Sequence, residues 1–426
     1  MNSPRTLGLT LLLLVIPSLM FGFRSSILVA TAAESTPEPV WVRTYDIRHS
    51  DHVRDMTIDM NGNTILSGTV IDRTWYTSRY TAIMRTDLNG NLTWSETYNM
   101  TTANAEAVAV DSKNDVVVAV TAGQYNDETE YHVIKYDANG TVKWIRTYDN
   151  GGVYPDIVTS MTIDSEDNIV IIGYVPGKYD PNNPDTDMCE KSVIIKYDVD
   201  GNVVWQKILW VWFTEGELAV DSRDNIILAG TKYRPLIDGG HYHGAAMDYY
   251  VSKMDQKGNV LWKRTYQSGN MSHAISGVAI DPNDSILVTG NNGTMKYSAD
   301  GDLLWTMQVN GTDITLNEAG EILMLDNCTV RCFSPSGTPK WNRTCDFYPR
   351  SLMVDGNNDV LVAGDTDLVD YDWIWGKESS DFVLMKLGYT TVVPEFPMLM
   401  ALPVLAAVSL LAVMRARIQP RSYSKP

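Results

Sequence analysis

The chain has little of what most recognisable chemistry is built from. It holds 6 histidines and 4 cysteines in 426 residues. It contains no Gly-x-Ser-x-Gly elbow, no His-Glu-x-x-His pair and no phosphate-cradling glycine loop. The common hydrolase, metalloprotease and nucleotide-binding signatures are therefore missing, and no motif calls for a cofactor. Basic charge is scarce too: 34 Lys and Arg face 52 Asp and Glu, for a net charge of −18. An acidic surface repels phosphate backbones, which argues against a nucleic-acid partner. Carboxylates are so numerous that no acid/base pair can be singled out. Cys189 stands alone, whereas Cys328, Cys332 and Cys345 cluster without a zinc spacing. In an exported protein Cys328 and Cys345 are placed to bridge neighbouring strands, and that pairing stays open. Phenylalanine is sparse (7), whereas Trp (12) and Tyr (22) are plentiful. Those two residue types favour strands and exposed binding surfaces.

Long apolar runs are confined to the two ends. Arg5, the run from Leu7 to Phe23 and the small residues Ala30-Thr31-Ala32 read as an export signal over Met1 to Ala33. Arg24 interrupts the run ahead of that cleavage site, which keeps an uncleaved anchor as the alternative. Met398 to Met414 is long enough for a short transmembrane helix. Arg415, Arg417, Arg421 and Lys425 follow it and predict a cytoplasmic tail. Just before the run stand Pro394, Glu395 and Phe396. This ending resembles the archaeal PEF-type C-terminal sorting signal. The resemblance covers only the last ~35 residues. It implies an archaeal cell-surface protein whose tail is exchanged for a lipid anchor. The basic residues are scattered rather than clustered, which departs from that pattern.

Between the ends the chain repeats itself. One unit reads as an apolar strand ending in Asp, a polar turn, an apolar strand ending in Gly, a variable loop, a strand with a basic residue, a Gly turn and a strand opening on Trp. The Trp marker falls at Trp41, Trp94, Trp144, Trp205, Trp262, Trp305 and Trp341. The basic marker falls at Arg85, Lys135, Lys196, Lys253, Lys296, Arg331 and Lys386. The Asp marker falls at Asp59, Asp111, Asp164, Asp221, Asp281 and Asp355, with Asn317 in its place in the sixth unit. Three markers give the same count of seven. Trp144, Arg146 and Tyr148 lie two apart and share a strand face, where they would wedge between units. Asn139-Gly140 is expected to close a tight hairpin.

Four-stranded units of this length predict an all-β chain: one seven-bladed β-propeller. The seventh unit lacks its Trp strand, and the orphan Trp41–Tyr45 segment carries the pattern that is missing. The N-terminal strand is therefore expected to complete the last blade. The organisation expected is a signal peptide (1–33), a linker (34–40), the propeller (41–388), a linker with the sorting motif (389–397), the transmembrane helix (398–414) and a basic cytoplasmic tail (415–426). Segments such as Val108–Ser112 and Lys135–Gly140 resemble the SBBP-type propeller repeat, and more loosely PQQ-type repeats. That resemblance implies the fold and leaves the function open.

Repetition also sorts the residues. The turns Asp59–Asn63 and Asp164–Asn168 have a calcium-like spacing, but in the first Val70 occupies the place of the bidentate Glu, and Asx turns explain both. The recurrent Lys and Arg read as inter-strand charge pairs. The loops between second and third strands break the repeat. They are long in units 7 and 1 to 4, and they should share one face. There they would bring together Trp75, Tyr76, Tyr371, Trp373 and Trp375, with Trp210 and Trp212 from the link between units 3 and 4. Rigid rings with accompanying carboxylates suit contact with a protein or an envelope polysaccharide. Asp238, His241 and His243 form the most metal-like string, usable only if their loop curls. Sequons stand at Asn91, Asn99, Asn139, Asn270, Asn283, Asn292, Asn310, Asn327 and Asn342. The reading that follows is a non-catalytic, membrane-anchored surface module. A carbohydrate-active or quinone-linked enzyme and a structural surface-layer element stand as alternatives. The oligomeric state is open.

Overall fold

The structure, a computed structural model, describes residues 36–389 apart from 49, 74–76, 99, 101–102, 124–128, 152–155, 176–190, 210–212, 239–240, 268–273 and 367–379. It contains seven separate four-stranded antiparallel sheets. We label the strands of each blade A to D from the ring axis outward. Blade 1 comprises Ser50–Ile58, Thr64–Arg73, Thr77–Thr86 and Leu92–Tyr98. Blades 2 to 6 open on Asn104–Val110, Ile157–Ile163, Phe213–Val220, Ile275–Ile280 and Asp313–Leu316. Blade 7 takes strands A to C from Tyr348–Val354, Val360–Asp365 and Phe382–Gly388, and strand D from Glu38–Tyr45. Trp41 pairs with Lys386 in that sheet, so the N-terminal strand closes the ring as expected. Tyr45 adds a hydrogen bond from its hydroxyl to the Gly90 carbonyl of blade 1 (2.6 Å).

Strands B and C are buried on both faces. Val116–Gly123 is fully enclosed, which explains its unbroken apolar run. Strand D alternates instead: Trp144, Arg146 and Tyr148 turn inward while their neighbours are exposed. The apolar core lies between blades rather than within them. Ala107, Val117 and Tyr131 of blade 2 pack on Val158, Ile169 and Ile195 of blade 3. Leu361, Phe382 and Leu384 of blade 7 meet Val53, Leu66 and Met84 of blade 1 in the same way. Each such side chain contributes about 1.5–3 kcal/mol by leaving water. No blade can gather that contribution alone.

In blades 1, 2 and 4 the repeat markers form one recurrent staple. Lys135 reaches Asp111 of its own blade (2.7 Å) and the Val199 carbonyl in the C–D turn of the next blade (3.2 Å). The Trp144 indole donates to that same carbonyl (3.3 Å). Lys253 and Trp262 share the Ala299 carbonyl in the same manner, and Arg85 and Trp94 share that of Ala138. The turn glycine lies against the ring: a Cβ on Gly301 would stand 2.7 Å from Trp262, and the backbone there takes φ +84°.

Two details differ from the sequence expectation. The C–D hairpin is not closed by two residues at positive φ. It is a five-residue connection, Asp137 to Thr141, in which only Gly140 takes positive φ (+88°) and Tyr136 pairs with Val142. In blade 6 the basic marker is displaced. The residue opposite Trp341 is Cys332, not Arg331, which instead pairs with Asp326 (2.7 Å). Blade 6 has therefore replaced both halves of the buried ion pair, by Asn317 and Cys332. A buried carboxylate left without its ammonium would be strongly destabilising, so the two changes belong together.

Candidate functional site

The antiparallel order places the A–B and C–D turns on one face and the B–C and D–A connections on the other. The turn face is occupied by its own bonding. The Oδ1 atom of Asp59 accepts from the amides of Asn61 (2.8 Å) and Asn63 (2.9 Å), and Arg85 takes the other carboxylate oxygen. Asp164 does the same with Glu166, Asn168 and Lys196. These are Asx turns with no oxygen left over for a cation. Each turn also holds its neighbour. Asp167, at φ +63°, accepts from the amide (2.8 Å) and hydroxyl (2.7 Å) of Ser112 one blade back. Asp224 and Asp284 repeat this with Ser165 and Ser222. Two shallow clefts lie on this face, one beside Arg85 and Trp94, the other between Asp221 and Asn317.

The axis of the ring carries groups that sequence reading passed over. In six blades strand A is bulged where its ladder shifts register. The bulge frees one residue at the inner edge, among them Arg54, Glu106, Thr159, Ser276 and Arg350. Burial pushes Glu106 up to about 7 against the pull of Arg54. Asp55, one position further on, and Asp313, in the unbulged strand A of blade 6, are raised by burial to about 6 and about 7. Both carboxylates serve as clamps between blades. Asp55 accepts from its neighbour Met56 (2.7 Å) and from Val108 of blade 2 (2.8 Å). Asp313 accepts from Ile314 (2.7 Å) and from Leu352 of blade 7 (2.7 Å). Thr159 and Ser276 donate across to the Gly216 (3.0 Å) and Gly311 (2.6 Å) carbonyls.

The loop face is irregular. Its B–C connections run from 327–328 in blade 6 to 176–190 in blade 3 and 366–381 in blade 7. Among the described residues one group there has metal-ligating chemistry: the carboxylates of Asp46, Asp51 and Asp381 lie within 4.8 Å of one another. Asp51 is already engaged by the amides of Ile47 (2.7 Å) and Arg48 (3.1 Å), and burial raises it to about 6. Asp156 repeats the arrangement, capping the amide of Asn150 (2.7 Å). Recurrence in two blades identifies a loop anchor.

No family model matches the chain. A WD repeat-containing protein, L264, of Acanthamoeba polyphaga mimivirus is 26% identical over 168 residues, which is 37% of this chain and 11% of that one. The chain therefore spans about a tenth of the length of that curated relative. Among solved structures it is similar to the WD40 domain of Neurospora crassa Pan2 (8% identity, 78% of this chain and 88% of that one, TM-score 0.49). It is also similar to BamB of Moraxella catarrhalis (12% identity, 82% and 98%, TM-score 0.43).

The expected binding residues Trp75, Tyr76, Trp210, Trp212, Tyr371, Trp373 and Trp375 lie outside the described residues, as do Pro394, Glu395 and Phe396. The stretch with Asp238, His241 and His243 is not a curled loop. Strands Ile226–Asp238 and His241–Met254 pair as one long hairpin. Asp238 sits opposite His241 in register, and His243 stands two positions further along the same strand. Cys328 and Cys345 form no disulfide with each other; the Cys345 amide donates to the Cys328 carbonyl (2.7 Å), so the two stand side by side. No helix among the described residues is long and apolar enough to cross a membrane, and 398–414 lies outside them.

Proposed function

We propose that this chain is an exported propeller, held at the cell surface by its C-terminal apolar segment, that binds a protein or an envelope polysaccharide through its loop face. The observation that carries this reading is the asymmetry between the two faces. Most blades spend their turn-face polar groups on themselves and their neighbours, by the same Asx turns and ion pairs. The loop face alone varies from blade to blade, in length and in composition. Variation on a rigid scaffold is how binding surfaces are built. Trp75, Tyr76, Trp210, Trp212, Tyr371, Trp373 and Trp375 are the side chains we propose for that surface. Asp238, His241 and His243 belong to the hairpin that extends from it.

The test is capture from envelope fractions by the full chain in detergent. A Trp373→Ala/Trp375→Ala variant should lose at least about tenfold in affinity for the captured glycan or protein, because buried aromatic anchors each contribute about 2 kcal/mol or more. Its melting temperature should stay within about 2 °C of the parent, since neither residue belongs to the staples. Equal capture by both proteins moves the site away from these tryptophans, and collapse of the variant makes them structural.

A further inference from the structure

We infer that the turn face of the propeller is the face directed at the bilayer, so that the loop face points away from it. This rests on the proposed C-terminal anchor and adds the direction in which the propeller stands upon it.

The exit of the chain decides the direction. Strand C of blade 7 starts at Phe382 on the loop side, opposite Asp365, and ends beside the A–B turn, where Leu387 pairs with Val360. A Cβ on Gly388 would lie 3.2 Å from the Asp359 carboxylate of that turn. Tyr389 is held there by an edge-on contact with Trp341 of blade 6, with ring centroids 6.2 Å apart. From Tyr389 to Met398 the chain has nine peptide steps, a reach of about 32 Å at full extension. Strand Phe382–Gly388 has 7 residues, about 23 Å. A link that first ran back along the blade to the loop face would keep only about 9 Å in which to clear the loops and enter lipid. Pro394 and Pro397 restrict it further. The direct route leaves the full reach available.

A second observation on the same face agrees. Strand D begins at the C–D turn, at the outer rim of the turn face. Three successive blades open it with an exposed aliphatic pair: Val203 (57%) and Val204 (54%), Val260 (52%) and Leu261 (54%), Leu303 (48%) and Leu304 (53%). Met60 and Leu88 are exposed in turns of blade 1 on the same side. Such a rim costs free energy in water and is accommodated at a lipid interface. The net charge of −18 disfavours anionic headgroups, so the surface it fits is a neutral one.

The test places a donor dye, through an azide-bearing amino acid, at Ser336 or at Asn327. Both are exposed residues of blade 6, one in its C–D turn and one in its B–C turn. Strand Thr329–Phe333 separates them by 5 residues, about 17 Å. The full chain is reconstituted into phosphatidylcholine vesicles that carry an acceptor dye in the headgroup layer, and flotation is checked first. Higher transfer from position 336 than from 327 is the expected result. Flotation with equal or reversed transfer overturns the orientation and leaves the anchor standing. Failure to float removes the bilayer and overturns both.

Discussion

At the scale of single residues, the ring depends on charges that are buried but satisfied. Lys135 and Asp111 are both nearly inaccessible to water and are bound to each other. Lys135→Met should therefore cost about 3–5 kcal/mol in urea denaturation, because it leaves a buried carboxylate unpaired. The double change Asp111→Asn/Lys135→Cys copies what blade 6 carries naturally at Asn317 and Cys332, and should recover most of that loss. If both variants lose equally, the pair is not coupled. The pH response divides the carboxylates into two groups. Burial alone would raise Asp111, Asp164, Asp221 and Asp281, but hydrogen bonds from their lysines and from turn amides outweigh it and hold all four below the ordinary range. Their stabilisation is present above about pH 4 and is lost as pH falls through the lowered values. Asp55, Asp313 and Glu106 behave in the opposite sense, being raised to about 6, 7 and 7. The folded state holds their protons longer than the unfolded chain does, so stability declines from about pH 4 to about pH 7 and then levels. Glu106→Gln should flatten that decline and gain roughly 1–3 kcal/mol at pH 8, discounted for Arg54 nearby. An unchanged slope would mean that Glu106 ionises freely in the channel.

At the scale of elements, the strand Glu38–Tyr45 carries the closure. It supplies the outer edge of blade 7, and its Tyr45 hydroxyl reaches blade 1. Tyr45→Phe should cost about 1 kcal/mol by leaving the Gly90 carbonyl without that partner. Removing residues 36–45 has a larger consequence. Strand Phe382–Gly388 then becomes an exposed edge that is apolar apart from Lys386. Such edges pair with other chains, so size-exclusion chromatography should show association of the truncated protein. A monomer with an unchanged melting profile would show that closure resides elsewhere. The long hairpin of blade 4 belongs to this scale too. Its register is continuous from Ile226 to Asp238, which makes it an extension of the sheet.

For the whole molecule, the two faces have separate tasks in the proposed arrangement, and the tail connects only to one. A chain ending at Val392 should no longer float with lipid vesicles yet should melt as the full chain does, since the inter-blade cores all lie within residues 45–389. Continued flotation would place membrane attachment outside Met398–Met414. The same division explains why much of the fold could be read from the chain. Trp, Lys, Asp and Gly recur because the same staple is built again in several blades, and a physical requirement met repeatedly leaves repeated marks. Where the requirement lapses the marks mislead: in blade 6 the eye takes Arg331 for the missing lysine, whereas strand register assigns that place to Cys332. The axial bulges left no such mark. A bulge is set by how inner strands crowd around a closed ring, and the freed residues differ from blade to blade.

Seven units, four strands apiece, the closing role of the Trp41 strand and the Asx character of the calcium-like turns were determined by sequence alone. Each follows from local patterning repeated at a fixed period, which needs no knowledge of distant contacts. Tertiary structure decided the rest. It joined Lys and Trp of one blade on a single carbonyl of the next, turned Asp55 and Asp313 into clamps, straightened the Asp238–His243 stretch into a hairpin and brought the C-terminal exit to the turn face. Those outcomes depend on which residues meet across blades about 40–60 positions apart, and periodicity within one blade carries no record of the neighbour it will touch.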